Sequence, residues 1–447
     1  MAESNPTCSR RDVLAGAGVL LAIGAAAPAQ GRRTLDLPTS SRELWQWVRT
    51  QPVLDAQTVW LDAAASGPTL RAAMASEYRA RDAQSFAIAG FDAERWLSET
   101  KQLAAHAAAF SGCDADEVRF THGAGEALAQ VVLGLDLADG DEIVTTDREH
   151  PAALSPLMML ARRRGVVVKQ IALAAPLGGA DEALEAFAGA MTNRTRAIMF
   201  SHVNYADGAV SPVRELSELA RARGAVSIVD GAQALGMLDF QLRDLNCDFY
   251  AACFHKWLGG SRGSGMLYVR RDMLDRLWPT APRGVEASQP VLTPTQWPAQ
   301  AEAPAAIRKL GNIVPHAWPA LRGMQAAMEL HGQIGRSRIE ARIRELAIYA
   351  RLRLQQLPGV EFLTPARPGL WGGILTFRFP KVAASDAATS LARGERVYLR
   401  ELVWPDADAG AGPGGALRTS LHVFNTHDDI ERLARGLERV LRLAAAL

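Results

Sequence analysis

Lysine is scarce in this chain. Of 49 basic residues only five are lysines, Lys101, Lys169, Lys256, Lys309 and Lys381, so chemistry that needs a free amine has few places to reside. A surplus of one charge is missing too. The 49 Lys and Arg face 48 Asp and Glu, which excludes the broad basic footprint that nucleic acid requires. Cysteine is rare: Cys8 lies in the N-terminal segment, leaving Cys113, Cys247 and Cys253. An odd number without paired spacing argues against a disulfide framework or a zinc site, and the three read as buried free thiols. Beyond the N-terminus no apolar run is long enough to span a bilayer. What remains, 447 residues with 48% hydrophobic and 22% charged, has room for two globular domains.

The first residues read as a targeting segment rather than structure. Ser9-Arg10-Arg11-Asp12-Val13-Leu14 is a twin-arginine pattern, followed by the apolar VLAGAGVLLAIGAAA and an Ala27-Pro28-Ala29 cleavage site. The competing reading is an N-terminal anchor helix. The Ala/Gly-rich core is short for a span of about 20 residues, so the expectation is cleavage after Ala29, use of the twin-arginine export machinery and a periplasmic mature protein.

After residue 40 the chain alternates. A short amphipathic helix over 41–49, capped by Ser40 or Ser41, precedes the strand and turn VWLDAAASGP, and a helix over 93–110 stops at Ser111-Gly112. VRFTHGAGEALAQVVLGL then reads as strand, glycine turn and helix, and the runs DEIVTT, VVVKQIAL, RAIMFS and AVSIVD as further strands separated by helices. Strands and helices at this spacing predict an α/β domain with a mainly parallel sheet. Residues 279–304 are proline-rich and aperiodic. A long helical pattern from Ala317 to about Gln356, the short strands GVEFLTP, GGILTFRF and ERVYLREL, and a final helix form an α+β segment. The expected divisions are 1–29 (signal), 30–75 (N-terminal arm or part of the small domain), 76–310 (large domain) and 311–447 (small C-terminal domain).

The residues Asp230–Tyr268 draw attention for a chemical reason. Asp230 closes the apolar run AVSIVD, and a second apolar segment, CDFYAACF, leads into His255-Lys256. A lysine immediately after a buried segment is costly as an ammonium. The cost disappears if its amine forms a Schiff base with an aldehyde cofactor, while an acid on a neighbouring strand keeps the cofactor's pyridine nitrogen protonated. The other four lysines sit in bland surroundings. The glycines at 259, 260, 263 and 265 lack the strand–turn–helix context of a dinucleotide fingerprint. By contrast Thr121–Glu126 falls between a strand and a helix, where backbone N–H groups and the helix dipole suit a phosphate.

DGAQALG followed by CFHKWLGG resembles the class V aminotransferase family of pyridoxal 5′-phosphate (PLP) enzymes, which includes cysteine desulfurases; HKWL is most similar to the isopenicillin N epimerase-like branch. The likeness runs from VWLDAAASGP to LRTSLHVFNTHDDIERL. It implies PLP-dependent transferase fold type I, a large α/β domain with a smaller α+β domain, in a homodimer with active sites at the interface. It assigns Lys256 as the Schiff-base lysine and as the base and acid at Cα, and Asp230 as the partner of the ring nitrogen. His150 would stack on the ring, and Gln233 would donate to the phenolate oxygen. Ala124, Gly125, Cys253 and His255 would hold the phosphate; many relatives carry a hydroxyl where Gly125 stands. Asn312 would reach the neighbouring subunit's phosphate, where a threonine is common. Arg418 would fork onto a substrate carboxylate, with Arg400 and Asn204 as further candidates; the family's asparagine aligns on Tyr205. A desulfurase needs a mobile cysteine between Arg400 and Arg418, and here Pro405 stands in its place. The expected activity is therefore epimerase or aminotransferase chemistry at the Cα of an amino acid or peptide residue. A C–S or β-lyase, a catalytically silent PLP-fold binding protein and an unrelated nicotinamide enzyme are the alternatives.

Overall fold

A computed structural model of the protein describes residues 36–86, 93–280, 310, 317–404 and 415–446. The expected signal segment, most of the 279–304 excursion, Lys309, Asn312 and Pro405 lie outside the described residues.

The first helix, Ser41–Arg49, starts where Ser40 accepts from the Glu43 backbone N–H at 3.3 Å, so Ser40 rather than Ser41 is the cap. Strand β1 (Val59–Trp60) follows, then helices Arg71–Phe86 and Ala93–Ser111. The first of these two carries no apolar stripe strong enough to announce it in sequence, and it packs on helix Trp318–Ile334.

Seven strands, β2 (Val118–Thr121), β3 (Glu142–Thr146), β4 (Val167–Ile171), β5 (Thr195–Ser201), β6 (Val226–Asp230), β7 (Phe249–Cys253) and β8 (Gly265–Val269), form one sheet in the order β2-β8-β7-β6-β5-β3-β4. All are mutually parallel except β8, which runs antiparallel to both β2 and β7. The mainly parallel α/β sheet anticipated from the sequence is therefore present, with a single reversed strand built from the glycine-rich stretch after Lys256. Helices cover both faces, so the inner strands are buried throughout, whereas edge strand β4 is half exposed.

A second, four-stranded sheet joins β9 (Glu361–Phe362), β10 (Ile374–Arg378), β12 (Arg400–Leu402) and β13 (Ala416–Ser420), all antiparallel. Strand β11 (Val397–Tyr398) instead pairs in parallel with β1 from the other end of the chain. This sheet has its own core with helices Arg336–Leu354, Ala384–Glu395 and His427–Ala445. The long helical pattern expected from 317 to 356 is two helices. Gly335 adopts φ 96° between Trp318–Ile334 and Arg336–Leu354, a left-handed conformation that stops a helix and that glycine tolerates.

Candidate active site

Parallel strands expose their carboxyl ends on one edge of a sheet, and binding sites gather there. Here β2, β3, β5, β6 and β7 deliver to that edge the segments starting at His122, Asp147, His202, Gly231 and Phe254. Four sequence-predicted regions, around Gly125, His150, Asp230 and Lys256, therefore share one edge.

The β2 turn opens an anion cradle. Helix Ala124–Gly134 has Gly123 at its N-cap, with no side chain to cap it, which among the described residues leaves the positive helix end available. Gly125 faces helix Pro151–Arg164 closely: a Cβ there would lie 3.2 Å from the Ala152 methyl. A side chain at 125 would therefore press on the Ala152 methyl. The His255 ring lies beside Gly123, 3.9 Å from where a Cβ would be, and its Nδ1 is buried with no hydrogen-bond partner. A buried donor or acceptor left unmatched beside an open helix N-terminus fits a phosphate. Burial and the Lys256 ammonium both hold the His255 pKa below its usual value. Cys253 points differently. Its thiol lies in the core beneath the sheet and donates to the Ala232 carbonyl at 3.5 Å, and burial raises its pKa.

Lys256 is half-buried and locked from several sides. Gly67 donates its N–H to the His255 carbonyl at 2.9 Å, and a Cβ on Gly67 would sit 2.0 Å from the Lys256 carbonyl oxygen. Trp257 is fully buried. Its indole N–H donates to Gln233 Oε1 at 2.8 Å, and Gln233 Nε2 donates to the Ala64 carbonyl at 2.9 Å. His422 stacks on that indole with ring centroids 5.6 Å apart and bonds the Trp257 carbonyl through Nε2 at 2.8 Å. Gln233 thus braces the lysine loop against the Ala63–Gly67 segment, with one amide hydrogen in reserve for a cofactor oxygen. Gly236, at φ 91°, has Trp257 and Leu258 backbone within 2.8 Å of a would-be Cβ, so the second glycine of DGAQALG is set by this crossing.

Asp230 is buried at the end of β6, one oxygen held by the Ala232 N–H at 2.9 Å. His150 caps helix Pro151–Arg164, its Nδ1 accepting from Ala152 N–H at 3.1 Å, and its ring packs edge-on to Tyr205 at 5.0 Å. Burial lowers the His150 pKa, the nearby Lys256 charge lowers it further, and the Asp230 carboxylate opposes both. The imidazole is therefore neutral at pH 7 and senses the expected base and the expected ring partner at once. Lys256, Asp230 and Arg418 all bear on the His150 charge, so the three predicted residues lie near one another at this edge.

Next to His150 lies a residue that the sequence did not single out. Glu149 is buried and accepts from Thr146 Oγ1 at 2.8 Å, from the Ser201 N–H at 3.2 Å and from the Ser201 hydroxyl. Burial pushes its pKa up to about 7; these donors work against the rise and the Asp230 charge adds to it.

Arg418 and Arg400, the predicted carboxylate-binding pair, lie on the four-stranded sheet, with Tyr205 reaching Arg418 from the large one. Arg418 on β13 is buried; one terminal nitrogen donates to the Tyr205 carbonyl at 2.8 Å and the other to Asp62 Oδ1 at 2.7 Å. Its Nε is buried without a partner among the described residues. Arg400 on β12 holds the other Asp62 oxygen through Nε at 3.0 Å and through a terminal nitrogen at 2.9 Å. Register places Arg400 directly opposite Arg418. The Asn204 amide is spent on backbone groups, donating to the Arg148 carbonyl of the β3 loop at 3.1 Å and accepting from Ala206 N–H at 2.8 Å. At this point the chain presents the Tyr205 ring and carbonyl. Asp62 and Glu149 each follow an apolar strand in the sequence, which was the available signal. Neither reveals its partners without the fold.

The family profile Aminotransferase class-V matches residues 59–433. Among curated relatives, isopenicillin N epimerase of Amycolatopsis lactamdurans is 35% identical over 321 residues, covering 68% of this chain and 75% of that protein. Isopenicillin N epimerase of Streptomyces clavuligerus is 31% identical over 415 residues, covering 88% and 98%. Cysteine desulfurases are also similar, that of Pectobacterium carotovorum subsp. carotovorum at 30% over 75% of this chain and 81% of its own. The solved cysteine desulfurase CsdA of Escherichia coli superposes with a TM-score of 0.73 at 25% identity, over 89% of this chain and 98% of that one. Lys256, Asp230, His150 and the helix N-terminus at Ala124 meet at one sheet edge, and the family match spans residues 59–433. The chain belongs to the class V aminotransferase family, and its cofactor is pyridoxal 5′-phosphate.

Proposed function

We propose that this enzyme works at the Cα of an amino acid, or of an amino-acid residue within a peptide, as an epimerase or aminotransferase. The observation that carries this reading is that Lys256, Asp230 and Arg418 all act on the His150 charge, with Arg400 opposite Arg418 on the adjoining sheet. Lys256, His150 and Asp230 govern protons, and Arg418 and Arg400 recognise a carboxylate. Bound pyridoxal phosphate supplies an electron sink for charge developing at Cα. The protein's part is specific. The helix end at Ala124–Gly125 and the His255 ring hold the phosphate, Asp230 holds a proton on the ring nitrogen, and Gln233 keeps the lysine loop in place. Lys256, half-buried beside a neutral imidazole, is suited to take the Cα proton and return it. Arg418 orients the carboxylate so that the Cα–H bond meets that amine.

The epimerase relatives at 31% and 35% identity support the epimerase side of this reading, and the lack of any cysteine after Cys253 weighs against desulfurase chemistry of the usual kind. The twin-arginine pattern supports export of the folded, loaded enzyme to the periplasm, and the fold supports a homodimer. The test is solvent deuterium exchange at Cα across amino acids and short peptides. Exchange with inversion marks an epimerase, keto-acid release an aminotransferase, and β-elimination a lyase. Exchange must vanish in Lys256→Ala, together with the borohydride-sensitive visible absorbance. A loaded enzyme that exchanges the Cα proton of no tested substrate sinks the proposal.

A further inference from the structure

We infer that Asp62 is a positioning residue that sets the charge of the substrate-carboxylate site, restricting it to substrates with a single carboxylate at the reacting unit. This rests on the reading of Arg418 as the group that receives the substrate carboxylate. Asp62 is only 4% exposed. It comes from the strand-and-turn segment after β1, and the isolated bridge between Asp62 and Ser420 places it beside β13. Its two oxygens are divided between two cations: Oδ1 takes Arg418 at 2.7 Å, and Oδ2 takes Arg400 through Nε at 3.0 Å and through a terminal nitrogen at 2.9 Å.

The charge count follows directly. Two guanidiniums, which stay protonated at any physiological pH, and one carboxylate leave one positive charge. Among the described residues the buried Arg418 Nε has no partner, so its donors are not exhausted by Asp62 and the Tyr205 carbonyl. Arg400 is different. Its side chain is half-exposed and already committed to Asp62. A first incoming carboxylate neutralises the pair. A second would find, among the described residues of the Arg400–Arg418 pair, no guanidinium left uncommitted, only the Asp62 charge. Substrates whose reacting unit is an acidic amino acid are thereby disfavoured, and neutral or basic ones accepted.

The experiment uses the PLP-loaded full chain and two four-carbon probes, butyrate and succinate, titrated calorimetrically at low ionic strength. In Asp62→Asn the count rises to two positive charges and Arg400 is released. The succinate-over-butyrate preference is expected to rise about tenfold, because a freed guanidinium binds a carboxylate by charge-assisted hydrogen bonds. Asp62→Glu, which keeps the charge, is expected to stay near the native ratio. Arg400→Ala removes a half-exposed side chain and leaves Asp62 cancelling Arg418, so butyrate affinity is expected to fall about tenfold. This variant decides the matter should Asp62→Asn fail to fold. A loaded Asp62→Asn enzyme with an unchanged ratio, or Arg400→Ala with native butyrate affinity, overturns the inference alone. A loaded native enzyme that binds neither probe overturns it together with the parent reading.

Discussion

Gly67→Ala is the sharpest perturbation of the lysine loop available without touching a reacting group. The φ of Gly67 lies outside the left-handed region, so the close approach of the new methyl is the main effect. The new methyl would lie 2.0 Å from the Lys256 carbonyl oxygen, 2.9 Å from its carbon and 3.4 Å from the His255 oxygen. Backbone cannot swing aside like a flexible side chain. Either the Ala63–Gly67 segment or the His255–Lys256 loop must move by an ångström or more. Overpacking of this kind costs about 1–3 kcal/mol, and the Gly67-to-His255 hydrogen bond contributes about 1 kcal/mol more. A total of about 2–4 kcal/mol, if discharged by displacing the lysine loop, weakens cofactor binding roughly 30- to 900-fold. The assay is the apparent PLP dissociation constant from visible absorbance, with thermal melting of apo and loaded protein alongside. Gly332→Ala is the control. That glycine lies within a helix with open space around it, and alanine there should stabilise by about 0.5–1 kcal/mol. Native cofactor affinity and native melting in Gly67→Ala would falsify the account of how Lys256 is held.

The other predictions concern residues that touch no substrate. Glu149→Gln tests the buried acid: its folded pKa of about 7 exceeds the ordinary 4.5, so the unfolded chain releases this proton first as pH rises. Native stability is therefore lost between about pH 4.5 and 7, by on the order of 3 kcal/mol, and the variant should gain on the native protein across that window. An unmoving melting-temperature difference from pH 4.5 to 8 contradicts the assignment. Trp257→Phe deletes the N–H that Gln233 Oε1 accepts; the buried oxygen left unmatched costs about 1–3 kcal/mol, read as a lower melting temperature and weaker PLP binding. Arg49→Ala removes the two-pronged grip on Asp429 at 2.9 and 3.1 Å. Asp429 is 6% exposed and caps the final helix, so a loss of about 1–3 kcal/mol should appear in denaturant unfolding, with cofactor affinity unchanged.

How much of this was legible in the sequence depends on whether a residue's role is local. Apolar runs and helix periods exposed the parallel sheet because each strand carries its own burial signature, and Asp230 and Lys256 stood out because a charge ending a buried strand is expensive by itself. Strand β8 was missed since Gly265 is there for a neighbour: a Cβ would meet the Ala252 carbonyl at 2.5 Å and Gly123 at 2.7 Å. Asp62 is the extreme case. It stood in view within VWLDAAASGP, yet its two cations lie 338 and 356 positions away, and no periodicity spans that gap. The same distance hides from sequence that the N-terminal segment supplies the acid held between Arg418 and Arg400. Arg418 and Arg400 face each other across adjacent strands and repel; a sheet could hold that pair only with an acid brought from outside it. The segment that supplies the acid also supplies Ala64 to Gln233 and Gly67 to His255. One stretch of six residues therefore fixes the lysine loop and the carboxylate site together, and a substitution within it that shifts its backbone should disturb both cofactor and substrate binding, whereas a change confined to the Asp62 charge should disturb only the second.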